Sequence, residues 1–174
     1  MHNGSKDVRG RAVLGAIAAL ATIPTALAHE GDGARTAPRA APPASAVLEL
    51  EAVREATARY LDVDQAVADG YVDVGVFFPN MGWHYLKGDL LDARFDATAP
   101  EFLVYADDPC GGKRRLVAVE YAVPLALSKK APAGFTGPAD AWTANTDFGL
   151  WTLHAWVFEY NPDGVFAGDN PRVP

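Results

Sequence analysis

Two stretches of this chain, residues 116–123 (Leu-Val-Ala-Val-Glu-Tyr-Ala-Val) and 151–158 (Trp-Thr-Leu-His-Ala-Trp-Val-Phe), are apolar at both odd and even positions. Successive side chains of a strand point to opposite faces, so a strand that is apolar on both must be covered on both. Helices can cover one face of such a sheet. The other then lines a barrel-like cavity or an interface in a homo-oligomer. Each stretch is also broken once by an ionisable side chain, Glu120 in the first and His154 in the second.

The other segments fit around these two. Residues 72–78, 82–86 and 101–106 are short runs of branched and aromatic residues and read as strands, giving about five strands with 115–123 and 151–159. Upstream the period is 3.6 instead of 2. Leu50, Val53, Thr57, Tyr60 and Leu61 share one helical face, with Ser45 placed to cap a helix over about 46–61. Asp62 and Gln65 have capping-box spacing, and Gly70 suits a left-handed helix end, so a second short helix is expected over 63–69. Residues 107–113 read as a hairpin loop, Asn161-Pro162-Asp163-Gly164 reads as a turn, and the long stretch 124–149 reads as a functional or mobile loop. Helices first and strands afterwards predict an α+β domain, with N-terminal helices packed on an antiparallel, barrel-like sheet.

The first residues predict export. Lys6, Arg9 and Arg11 precede an apolar run from Ala12 to Ala28 that ends in Ala26-Leu27-Ala28, the pattern of a cleavable signal peptide over 1–28. That run contains Pro24 and is too short to span a bilayer, so no membrane span is expected. Residues 29–44, rich in Pro, Gly and Ala, read as a flexible linker, which leaves 45–174 as a single α+β domain in a secreted or periplasmic protein. The full chain has 15 basic and 22 acidic residues; without 1–28, which hold Lys6, Arg9, Arg11 and Asp7, its charge is about −9. An acidic chain without a basic stripe is repelled by phosphate backbones, so nucleic acid is excluded as a partner. Cys110 is the sole cysteine, which excludes an internal disulfide; its Asp-Asp-Pro-Cys-Gly-Gly setting reads as an exposed turn, where it is either an incidental thiol or a reactive or intermolecular one.

The chemistry-bearing residues are those set into strands. An isolated buried carboxylate costs several kcal/mol, so Glu120 must be protonated, paired or bound to a metal. Leu116, Ala118 and Ala122 share its expected face. His154 has Thr152, Trp156 and Phe158 as face partners, and His84 interrupts Gly82-Trp83-His84-Tyr85-Leu86 in the same way. Two imidazoles and a carboxylate on different strands suit Zn, Cu or Fe, with positions left open for water or a small molecule. Separations of 36 and 34 residues match no local metal motif, and two other arrangements stay open. Glu120 pairs with one histidine while the other bonds a backbone carbonyl, or the three form a metal-free acid/base site. His29, the first residue after the expected cleavage, is a second candidate copper ligand. The aromatics around these segments serve as core or as the wall of a small apolar-ligand pocket. No Gly-x-Ser-x-Gly elbow, phosphate loop or dinucleotide fingerprint is present.

Gly82-Trp83-His84-Tyr85, Val119-Glu120-Tyr121 and Leu153-His154-Ala155-Trp156, with Asn161-Pro162-Asp163-Gly164, resemble segments of a group of uncharacterised secreted bacterial proteins. The likeness spans roughly residues 55–174 and implies a bacterial source. It implies no activity. The sequence therefore predicts an extracytoplasmic protein whose sheet buries His84, Glu120 and His154 as a candidate transition-metal site. The alternatives are a metal-free binder of a small apolar ligand, or an interaction protein that uses an aromatic sheet face.

Overall fold

The computed structural model describes residues 42, 44–137, 140 and 142–174. The expected signal peptide, His29 and nearly all of the expected linker lie outside them. The elements are α1 (Ala44–Thr57), a 3-10 turn (Ala58–Leu61), α2 (Val63–Ala68), then β1 (Val72–Phe78), β2 (Gly82–Leu86), β3 (Phe102–Ala106), β4 (Arg115–Pro124), β5 (Thr143–Asn145) and β6 (Leu150–Ala155). Helix α1 starts at Ala44, so Ser45 lies inside its first turn and does not cap it. Asp62 caps α2, but its side chain accepts from the Asp64 backbone instead of the expected third position. Gly70 ends that helix at φ +94°, as its place in the sequence predicts.

The strands form one antiparallel sheet, in the order β1-β2-β3-β4-β6-β5. The expected barrel-like form is corrected here. The sheet is open and has six strands among the described residues, because β1 and β5 stand at opposite ends of the order and do not pair. β5 has three residues and lies within the stretch expected to be one long loop. That stretch is also tied down: Phe135 is buried in the core, Thr136 donates to Glu49 from both its backbone and its hydroxyl, and Trp151 Nε1 donates to the Ser128 carbonyl.

One sheet face carries Tyr85, Leu103, Tyr105, Leu116, Val119, Tyr121 and Leu153, and packs against Leu50, Val53, Tyr60 and Ala66 of the helical segment. Leu61, expected on the same helical face, is exposed. The Tyr105 hydroxyl donates to the Tyr60 carbonyl, and Arg54 Nε reaches the Val157 carbonyl, which pins the helices to the sheet. On the second face Val104, Ala106, Ala118 and Trp156 pack with Val173 of the C-terminal segment, while Leu86, Phe102 and Ala122 form a separate group with Leu91. A slip in register at Val104/Tyr105 places Leu116 opposite Tyr105, so Leu116 joins the helix-side core and does not share a face with Glu120. The β6 ladder stops at Ala155. Val157 bonds back to the Ala155 carbonyl, and both Phe158 and Glu159 donate to Val117, which turns Phe158 towards the helix-side core.

Candidate metal centre

The polar cluster lies on the second face, between its two apolar groups. Glu120 and His154 are direct cross-strand partners on β4 and β6, so their side chains start about 5 Å apart on one face. His84 is on β2, two strand spacings or about 9–10 Å from β4. It is in register with Val104, which pairs Ala118, while Glu120 pairs Phe102. His84 and Glu120 therefore reach towards each other diagonally across β3, over the backbone of Leu103 and between the side chains of Phe102 and Val104. Ala118 and Ala122 flank Glu120 on its own strand, and their small size leaves the carboxylate room to be approached from both sides.

His84 Nε2 lies 3.4 Å from Glu120 Oε2, and His154 Nε2 lies 3.7 Å from Glu120 Oε1. One ligand atom from each of the three residues falls within 4.8 Å of the other two, and all three side chains are buried. Charge-assisted hydrogen bonds run about 2.7–2.9 Å, so neither contact has that length. The edge of a tetrahedron around an ion with bonds of about 2.0–2.2 Å is about 3.3–3.6 Å. His154 Nε2 is buried and has no hydrogen-bond partner among the described residues, although it points towards Glu120. A buried polar atom without a partner is rare and needs a reason.

Burial sets the protonation of the group. It pushes the His154 imidazole down to about 4 and lowers that of His84, where the nearby Glu120 and the Gly82 backbone oppose the shift. Both rings are thus neutral near pH 7, the form that offers a lone pair to a metal. Burial raises Glu120, with His84 and a hydrogen bond from Thr152 pulling the other way. Glu120 faces both rings and lies nearer His84, so the geometry accommodates its pairing with that histidine as well as a shared ion.

Aromatic rings surround the cluster. Trp156 stacks on His154 at 6.0 Å and 11°, and His84 meets the edges of Phe102 and Phe78 at 6.2 and 5.5 Å. Comparison with protein-family models, with curated proteins and with solved structures returns no match. The site therefore stands on its own geometry.

Phe148, in the β5–β6 turn, is one of the aromatics that the sequence places around these segments, whereas Phe78 and Glu101 were not singled out from it. Phe78 ends β1, and nothing in its local sequence marks a site. Glu101 had a visible signal, a carboxylate between Pro100 and the apolar Phe102-Leu103-Val104. It is buried, its Oε2 accepts the Ala122 backbone N–H at 2.9 Å, and burial pushes its pKa up to about 8. Cys110 is exposed in the β3–β4 hairpin, as its turn sequence predicts. No helix among the described residues is long and apolar enough to cross a membrane.

Proposed function

We propose that this chain is a transition-metal-binding protein that works outside the cytoplasm, with His84, Glu120 and His154 as the protein's ligands. One observation carries the metal reading: three buried donors from three strands converge within 4.8 Å of one another, a group that could hold a metal ion. The donor set is two imidazole nitrogens and one carboxylate oxygen, which favours a divalent first-row metal such as Zn, Cu or Fe over hard cations that take only oxygen. Three protein ligands leave coordination positions open, as in catalytic sites and unlike closed structural ones. A metal held there supplies Lewis acidity beside neutral imidazoles in a water-poor setting.

The extracytoplasmic part of the reading rests on the apolar run 12–28 and its small-residue end. The deciding experiment for the metal is elemental analysis of untagged protein, stripped with a chelator and reloaded. One equivalent of metal in the wild type and a large loss in Glu120→Gln support the site. Equal metal content in the two proteins contradicts it.

A further inference from the structure

Phe78 and Phe148 come from opposite ends of the sheet order, yet their rings meet edge to face at 6.0 Å and 89°, and Phe78 in turn meets the edge of His84. Phe148 is 43% exposed and Phe78 is half-buried. β1 and β5 share no backbone ladder, so parting these rings breaks no main-chain hydrogen bond. The two phenylalanines thus form an apolar contact beside His84 that no β1–β5 backbone ladder holds together. Phe102 and Trp156 continue the apolar wall around the cluster.

Charge narrows what such a site accepts. A divalent ion held by one carboxylate and two neutral imidazoles leaves one positive charge, and no Lys or Arg is paired with Glu120 among the described residues. Leaving a net charge in apolar surroundings is costly, and one anionic donor neutralises it. We propose that the open positions take a small apolar molecule bearing a single anionic oxygen donor, a carboxylate or phenolate, and that it enters between Phe78 and Phe148. This proposal rests on the metal reading above.

The test uses the full-length processed chain loaded with Co(II), whose visible absorption reports both metal uptake and added ligands. Metal titration comes first, and failure to bind one Co(II) per chain overturns the metal reading and this proposal with it. On the loaded protein, benzoate is compared with acetate, which lacks the ring, and with benzamide, which lacks the charge. The expected result is benzoate binding about tenfold more tightly than either, the scale of one partly buried ring or one neutralised charge. Phe148→Ala, at an exposed turn position, should remove most of the advantage over acetate while Co(II) stoichiometry and acetate affinity stay unchanged. Equal affinity for benzoate and acetate, equal affinity for benzoate and benzamide, or an advantage untouched by Phe148→Ala overturns the ligand proposal and leaves the metal reading standing.

Discussion

A carboxylate in the middle of an apolar strand stays buried by keeping a proton, by pairing with a cation, or by binding a metal. Glu120 is equidistant, within a few tenths of an ångström, from two imidazoles that burial keeps neutral, so simple pairing leaves its charge poorly offset. Replacing it with Gln keeps the shape and removes the charge. Folding of the metal-free protein should survive or improve, while metal occupancy falls at least about tenfold, the scale associated with losing even a supporting group of a metal site. His84→Ala and His154→Ala should lower occupancy as well. Acid should also be damaging. The folded pKa of His154, about 4, lies below its ordinary 6.5, so the unfolded chain binds the extra proton first as pH falls. The stability of the metal-free protein should therefore drop between about pH 6.5 and pH 4 in denaturant titrations, and His154→Phe should flatten that drop. These three residues were legible because each interrupts an apolar strand. Their mutual distance was not, because it depends on strand order and register.

At the scale of elements, the site depends on how β2, β3 and β4 are pinned together. Gly82 opens β2 at φ +111°, and a Cβ there would run into the Tyr105 carbonyl of β3. Gly82→Ala should cost about 1–3 kcal/mol from the backbone alone and, by moving β2, weaken metal binding at His84 two residues away. Calorimetry and metal titration of the same variant check both effects. Glu101 fastens β3 to β4 where Pro100 interrupts the ladder: the Pro100 carbonyl is taken by the Tyr71 hydroxyl, and the Ala122 N–H goes to the Glu101 carboxyl. Its folded pKa of about 8 is raised above the ordinary 4.5, so its contribution is complete below about pH 4.5 and is lost as pH rises through 8. Glu101→Gln keeps an acceptor for Ala122. It should be near neutral at pH 5 and should raise Tm at pH 8.5, whereas an equal effect at both pH values contradicts a buried titrating carboxyl. The strand positions of β1 and β2 could be read from period and composition. β5, the slip at Val104/Tyr105 and the early end of β6 could not, because each arises from hydrogen bonds between segments far apart in the chain.

For the whole molecule, the sequence's demand that both sheet faces be covered is met without closure. Helices cover one face, and the C-terminal segment, with Val173 at its end, covers part of the other. The barrel expectation failed because two-sided burial says that a face is covered and not by what. Export makes its own prediction: protein recovered from outside the cytoplasm of a bacterial host should begin at His29, and sequencing that finds Met1 contradicts processing. The metal proposal comes down to three buried side chains that share one ion. Its most direct test is thermal unfolding of chelator-stripped, untagged protein with and without added Zn(II), beside Glu120→Gln. At a free-metal concentration a hundred times Kd, mass action should stabilise the wild type by about 2.7 kcal/mol, a rise of roughly 5–10 °C, with no rise in Glu120→Gln. An unchanged wild-type Tm at millimolar Zn(II) and Co(II), or an equal rise in both proteins, contradicts the shared metal site.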